Sequence, residues 1–86
     1  MTVFLVDEPF VGLAASFASK DSSARLVLLQ DAVYASRSLS VSGGVYVVDD
    51  DVTRRGLNAK IPSTVHIISY EALVEMMEHE KVINFL

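Results

Sequence analysis

The sequence predicts an α/β fold: a small three-layer sheet of four mainly parallel strands with helices on both faces, in one domain spanning residues 1–86. Three observations carry this expectation. Four short runs, Val3–Val6, Leu26–Leu29, Val45–Val48 and Val65–Ile68, are apolar with the single exception of His66. None alternates apolar with polar residues, which is the pattern of strands covered on both faces. Segments with helical spacing lie between them, and strands that alternate with helices build a parallel sheet through right-handed crossovers. The length of 86 residues leaves no room for a second domain.

Taken in order, the first strand ends at Asp7 and Glu8. Pro9 suits a first helical turn, where its missing N–H costs nothing. Phe10, Leu13, Ala14, Phe17 and Ala18 then follow i, i+3, i+4, i+7, i+8 spacing, one apolar stripe of a helix. The second strand breaks off at Gln30 and Asp31, and a short helix is expected from about Asp31 to Leu39, ahead of Gly43 and Gly44. After the third strand Asp50 is a candidate cap, Arg54 and Arg55 fall in a last turn, and Gly56 suits the position just past it. Ser69 is the expected cap of the last helix, with Tyr70, Leu73, Val74 and Met77 inward and Glu71, Glu75 and Glu78 outward. His79 and Lys81 would complement the dipole at its end. The tail from Val82 to Leu86 is apolar and is expected to dock on the domain or on a neighbour. Doubly wound precedent gives the strand order 2-1-3-4.

Composition narrows the function classes. A chain this short buries only about 60–65% of its unfolded surface, yet 51% of its residues are hydrophobic and its mean hydropathy is +0.40. Apolar surface in that excess is commonly placed in an interface, so oligomerisation is expected. The net charge of −4, with seven scattered Lys and Arg, matches a phosphate backbone poorly, and direct nucleic-acid binding is not expected. There is no cysteine, which rules out disulfides, thiolate metal sites and cysteine nucleophiles. No apolar run approaches the ~20 residues that span a bilayer. The N-terminus lacks the basic flank of a signal peptide. A cytoplasmic protein without membrane contact is the expectation.

Ligands of open parallel sheets bind beyond the carboxyl ends of the strands. The residues expected there are Asp7 and Glu8, Gln30 and Asp31, Asp49 to Asp51, and Ser69. Such acids most simply cap the following helices. As a metal or phosphoryl site they would resemble a receiver domain, but the lysine that follows a receiver's fifth strand is missing. Asp31 stands apart, with Gln30 before it and Tyr34 three residues on, so its loss is expected to harm folding more than loss of Asp49, Asp50 or Asp51, which can substitute for one another. His66 reads as a partly buried strand residue. With only His79 for company and no cysteine, no metal site is expected. Gly43-Gly44 lacks the spacing of a phosphate loop and precedes a strand. Ser16, Ser36 and Ser40 have no visible His and Asp partners for a hydrolase triad.

The composite pattern is more specific than any one site. "LVLLQDAVYAS", then "VYVVDDDVTRRGL", then "VHIISYEALVEMM" resembles the DsrH/TusB family. The matching residues are Gln30, Asp31, Ala32, Val33 and Tyr34, then Arg55, Gly56 and Leu57, then Ile68 and Tyr70. The resemblance implies a DsrE/F-like subunit without a cofactor. Such subunits assemble with TusC/DsrF-like and TusD/DsrE-like partners into a sulfur relay that serves tRNA wobble-uridine 2-thiolation or sulfur metabolism. It further implies that the reactive cysteine lies on the TusD-like partner. Some members carry a cysteine in the first helix, and counting back without gaps from Asp31 that position falls on Ser16. A serine hydroxyl forms no persulfide, so the implied role is non-catalytic, with no catalytic residue in this chain. Gln30, Asp31, Tyr34, Arg55 and Tyr70 are then candidates for facing a partner, bracing a loop or lining a pocket. The alternative is a stand-alone homo-oligomeric binding protein of the same fold.

Overall fold

The computed structural model describes residues 2–39 and 41–86, so Ser40 lies outside the described residues. Five strands, not four, form one sheet: β1 (Thr2–Val6), β2 (Ala24–Leu28), β3 (Val45–Val48), β4 (His66–Ile68) and β5 (Lys81–Phe85). Every neighbouring pair is parallel, and the order is β4-β3-β2-β1-β5. Helices α1 (Val11–Ala18), α2 (Asp49–Arg54) and α3 (Tyr70–His79) and a 3-10 helix over Gln30–Ser38 complete the three layers.

Handedness explains the order. Right-handed crossovers that advance in one direction all lie on one face of a sheet. From β1 to β4 the chain steps steadily sideways, so α1, the 3-10 helix and α2 share a face. Their Ala14, Ala18, Ala32, Val33 and Val52 pack with Phe4, Val6, Leu26, Leu28 and Val47. Helix α3 carries the chain back the other way and therefore lies on the opposite face, where Leu73 joins Val3, Leu5, Val27 and Val48. The expected order 2-1-3-4 required a reversal after the second strand. It does not occur, because Ala32 and Val33 hold the 3-10 helix in the same core as α1. The observed order also departs from the 2-1-3-4-5 order of receiver-type folds.

The fifth strand comes from the tail. Glu80 ends α3 in extended backbone, and its carboxylate pairs with Arg25 on β2 at 3.2 Å. Lys81 therefore starts a strand instead of ending a helix, and residues 81–85 run alongside Thr2–Val6. The N–H of Asp7 donates to the carbonyl of Phe85 at 3.0 Å, one further rung. Strand β4 is a three-residue edge, and His66 on it is exposed, stacked on Tyr46 with 4.7 Å between ring centres.

Two apolar stripes are narrower than their spacing suggests. In α1 only Ala14 and Ala18 are buried, while Leu13 is 52% and Phe17 53% exposed. Small residues let α1 lie close to the sheet, and Phe17 leans outward onto the ring of Phe85 at 5.9 Å. Pro9 and Phe10 belong to a 3-10 turn, Glu8–Phe10, that precedes α1. In α3 only Leu73 is buried; Met77 is half-buried, and Tyr70 and Val74, expected inward, are exposed. Between α1 and β2, the hydroxyl and the N–H of Ser23 both donate to Asp21, which holds the Asp21 carboxyl below its ordinary value.

The Ser69 cap is present as expected, its Oγ accepting the N–H of Ala72 at 3.1 Å. Replacement of Ser69 by alanine leaves that N–H without its partner at the start of α3, the only helix on its face among the described residues. The expected loss is about 1 kcal/mol, read as a shifted urea midpoint; an unchanged midpoint would mean that water serves the N–H equally well.

Candidate functional site

The end of β2 is the centre of the acidic edge. Leu29 is still extended, and Gln30 then turns into the left-handed region with φ of 53°. A non-glycine residue adopts that conformation only when its surroundings hold it there. Here the hold is Asp51. Its Oδ2 accepts the N–H of Gln30 at 3.1 Å, and Asp51 is only 6% exposed.

Arg55 completes the arrangement. It lies one helical turn beyond Asp51, so its guanidinium folds back over the same helix face. Its Nη1 donates to the Asp51 carbonyl at 3.2 Å and lies 3.6 Å from Asp51 Oδ1. Its Nε donates to Asp31 Oδ1 at 3.0 Å. One guanidinium thus joins the start of the 3-10 helix to α2, in the fork geometry that suits arginine and not lysine. The two carboxylates it holds are compensated. The arrangement contains no free nucleophile or base; what it does is fix the backbone after β2.

The remaining strand-end acids act locally. Asp7 Oδ1 accepts the N–H of Glu8 at 2.7 Å, and Asp49 Oδ1 that of Asp50 at 2.8 Å. The expected cap at Asp50 is not observed: the N-cap position of α2 is Val48, no side chain caps the helix, and Asp49 bonds only the adjacent N–H. Among the described residues no group of three or more His, Asp or Glu side chains could hold a metal ion. Gly56 does end α2 in the left-handed region, with φ of 65°.

The structure brings together Gln30, Asp31 and Arg55 from the residues singled out in the sequence, but not the other three. Tyr34 faces outward beside a separate cleft. Tyr70 is exposed on α3, across the sheet. Ser16 lies on the exposed side of α1, where its carbonyl accepts the hydroxyl of Ser19. The residue that sequence reasoning missed is Asp51. The expectation that Asp49 to Asp51 are interchangeable fails: the first two are exposed and Asp51 is buried. Its i, i+4 spacing to Arg55 and its position beside the apolar Val52 were the available signals.

Among known proteins, the family described as DsrH like protein matches residues 9–82. The match runs from the turn before α1 into β5 and includes every residue of the Gln30–Asp31–Asp51–Arg55 brace. No curated protein sequence matches the chain. In three dimensions the chain is similar to the ychN protein from E. coli, seen in its crystal structure, with a TM-score of 0.74. That likeness covers 98% of this chain and 97% of the other at 19% sequence identity, and it shows a shared fold. With 9–82 of its 86 residues matched and its "QDAVY" brace inside that match, this chain belongs to the DsrH-like family.

Proposed function

We propose that the chain is a non-catalytic subunit of a TusBCD/DsrEFH-like sulfur relay, assembled with TusC/DsrF-like and TusD/DsrE-like subunits. In this reading it supports persulfide transfer in the cytoplasm, for tRNA wobble-uridine 2-thiolation or for sulfur metabolism. The observation that carries the reading is a DsrH-family chain with no cysteine at all. Relay requires a thiolate that attacks a persulfide and then holds the sulfane sulfur, and only cysteine supplies it. Ser16 has no base evident in its helix, and a thioether has no proton to lose. The sulfur must then ride on a partner. Exposed apolar side chains on both outer layers, Leu13 and Phe17 on α1 and Tyr70 and Val74 on α3, offer surface for such partners.

The test is affinity capture of this chain from its native cells. Recovery of cysteine-bearing DsrE- and DsrF-like relatives is expected. Recovery of this chain alone, as a self-associated species, would favour the stand-alone homo-oligomer instead. A second arm addresses sulfur directly. After incubation with a cysteine desulfurase and cysteine, intact-mass spectrometry should show no adduct of one sulfur atom on this chain; a stable adduct would sink the non-catalytic reading.

A further inference from the structure

A cleft of about 220 Å³ lies between the 3-10 helix and the turn that follows α2. A 3-10 helix has three residues per turn, so side chains three apart lie one above the other. Val33 and Ser36 therefore share the inward side, and Tyr34 and Arg37 share the outward side. The opposite wall is held in place by its own backbone. The N–H of Leu57 donates to the Val52 carbonyl at 3.0 Å, and that of Lys60 to the Leu57 carbonyl at 2.8 Å. The floor and walls are apolar, made by Val33, Leu57 and Ile61, and Arg37 and Lys60 stand at the rim.

The electrostatics are opposite to those of the rest of the molecule. The chain carries a net charge of −4, yet this cleft is lined by two cations and no acid. Asp31, one 3-10 turn before Tyr34, is already engaged by Arg55. Neither Arg37 nor Lys60 forms an ion pair with a described residue. Ser36 is 2% exposed as a residue, but its hydroxyl is not sealed off: among the described residues no buried side-chain polar atom lacks a partner, so this oxygen opens onto the cleft it lines. A hydroxyl that opens onto a cleft can donate to, or accept from, a group bound there. Apolar walls, two cations at the mouth and two hydroxyls, of Tyr34 and Ser36, form one chemical complement.

We propose that this cleft binds a small organic anion with an apolar body, its acidic head between Arg37 and Lys60. The apolar body rests on Val33, Leu57 and Ile61. The volume lies below the roughly 300–1,000 Å³ typical of drug-sized ligands, which restricts the body to about one ring or a short aliphatic chain. The site is independent of the sulfur-relay reading, since it uses neither a partner subunit nor sulfur chemistry.

The experiment is an NMR titration of the isotope-labelled full chain with phenyl phosphate, with benzyl alcohol and inorganic phosphate as comparisons. Saturable shifts are expected at the amides of residues 33–37 and 57–61, with both comparison compounds binding more weakly. Arg37→Gln with Lys60→Gln should weaken phenyl phosphate at least about tenfold, because charge-assisted hydrogen bonds to the acidic head are lost. Both residues are exposed, so the thermal midpoint should not move. Ser36→Ala should weaken binding by a smaller factor, about threefold. Three outcomes overturn the proposal: shifts that scatter over the surface without saturating, benzyl alcohol binding as well as phenyl phosphate, or inorganic phosphate doing so.

Discussion

Asp51→Ala is expected to destabilise the domain by about 3 kcal/mol, more than any other single change in the acidic edge. Three losses coincide. The N–H of Gln30 loses its acceptor, the left-handed turn at Gln30 loses its hold, and Arg55 keeps a charge whose side chain is only 16% exposed. Removing one member of a buried pair costs about 3–5 kcal/mol when the site is dry; the partial exposure of Arg55 puts this case at the lower end. A domain of this size has about 5–10 kcal/mol in total, so the variant should be partly unfolded in mild denaturant. Asp31→Ala should behave differently. Its side chain is 68% exposed, and exposed ion pairs contribute at most about 1 kcal/mol. Asp51→Asn keeps an acceptor for Gln30 and should fall between the two. Urea melts of the three variants decide the matter, and an Asp31→Ala loss equal to that of Asp51→Ala would overturn the ranking.

That ranking shows where the sequence was legible and where it was not. Continuous apolar runs announce a parallel sheet because both faces of the strands must be covered, and four of the five strands carry such runs. Residues 82–86 read as an apolar docking tail and Lys81 as a charge at a helix end; residues 81–85 form an edge strand, whose Lys81 and Asn84 are exposed and give it no continuous apolar run. The strand order is a non-local property: it depends on which face each crossover takes, and no local pattern encodes that. The "QD" junction after β2 was legible as a special position, but its partner was not. Three consecutive aspartates differ only in helical phase, and phase follows from where α2 begins. Once α2 starts at Asp49, the third acid points inward and the first two do not. Tyr70 and Val74 of α3 were expected inward and are exposed for a related reason. An apolar stripe states that a surface is apolar, not whether the chain's own core or another molecule covers it.

Gly43→Ala is expected to cost about 3 kcal/mol, at the upper end of what overpacking does, although the substitution adds a single methyl group. A Cβ at this position would lie 1.8 Å from the carbonyl oxygen of Ala24 and 2.5 Å from its carbon. Both sides of the clash are main chain, so no rotamer change relieves it. Ala24 cannot retreat either. It is paired with Thr2 in the sheet, its N–H donates to the Asp21 carbonyl at 3.1 Å, and its side chain is fully buried. The strain must go into the turn before β3, where Gly44 donates to the Val41 carbonyl and accepts from the N–H of Leu26, each at 3.0 Å. The second of these bonds begins the pairing of β2 with β3, which continues through Leu26↔Val45 to Leu28↔Val47. A shift there is expected to reach the carboxyl ends of both strands, where Gln30 meets Asp51. Gly44→Ala is the internal comparison. Its φ of +103° is unfavourable for alanine, but the nearest atom to a new Cβ is the movable ring of Tyr46 at 3.1 Å. About 1–2 kcal/mol is expected for it, clearly less than for Gly43→Ala. Urea melts give the order of the two, and hydrogen exchange at the Gln30 amide tests the coupling. In Gly43→Ala under native conditions that amide should lose protection. An amide that stays fully protected while the melt shifts would show that the clash is absorbed in the turn and never reaches the brace.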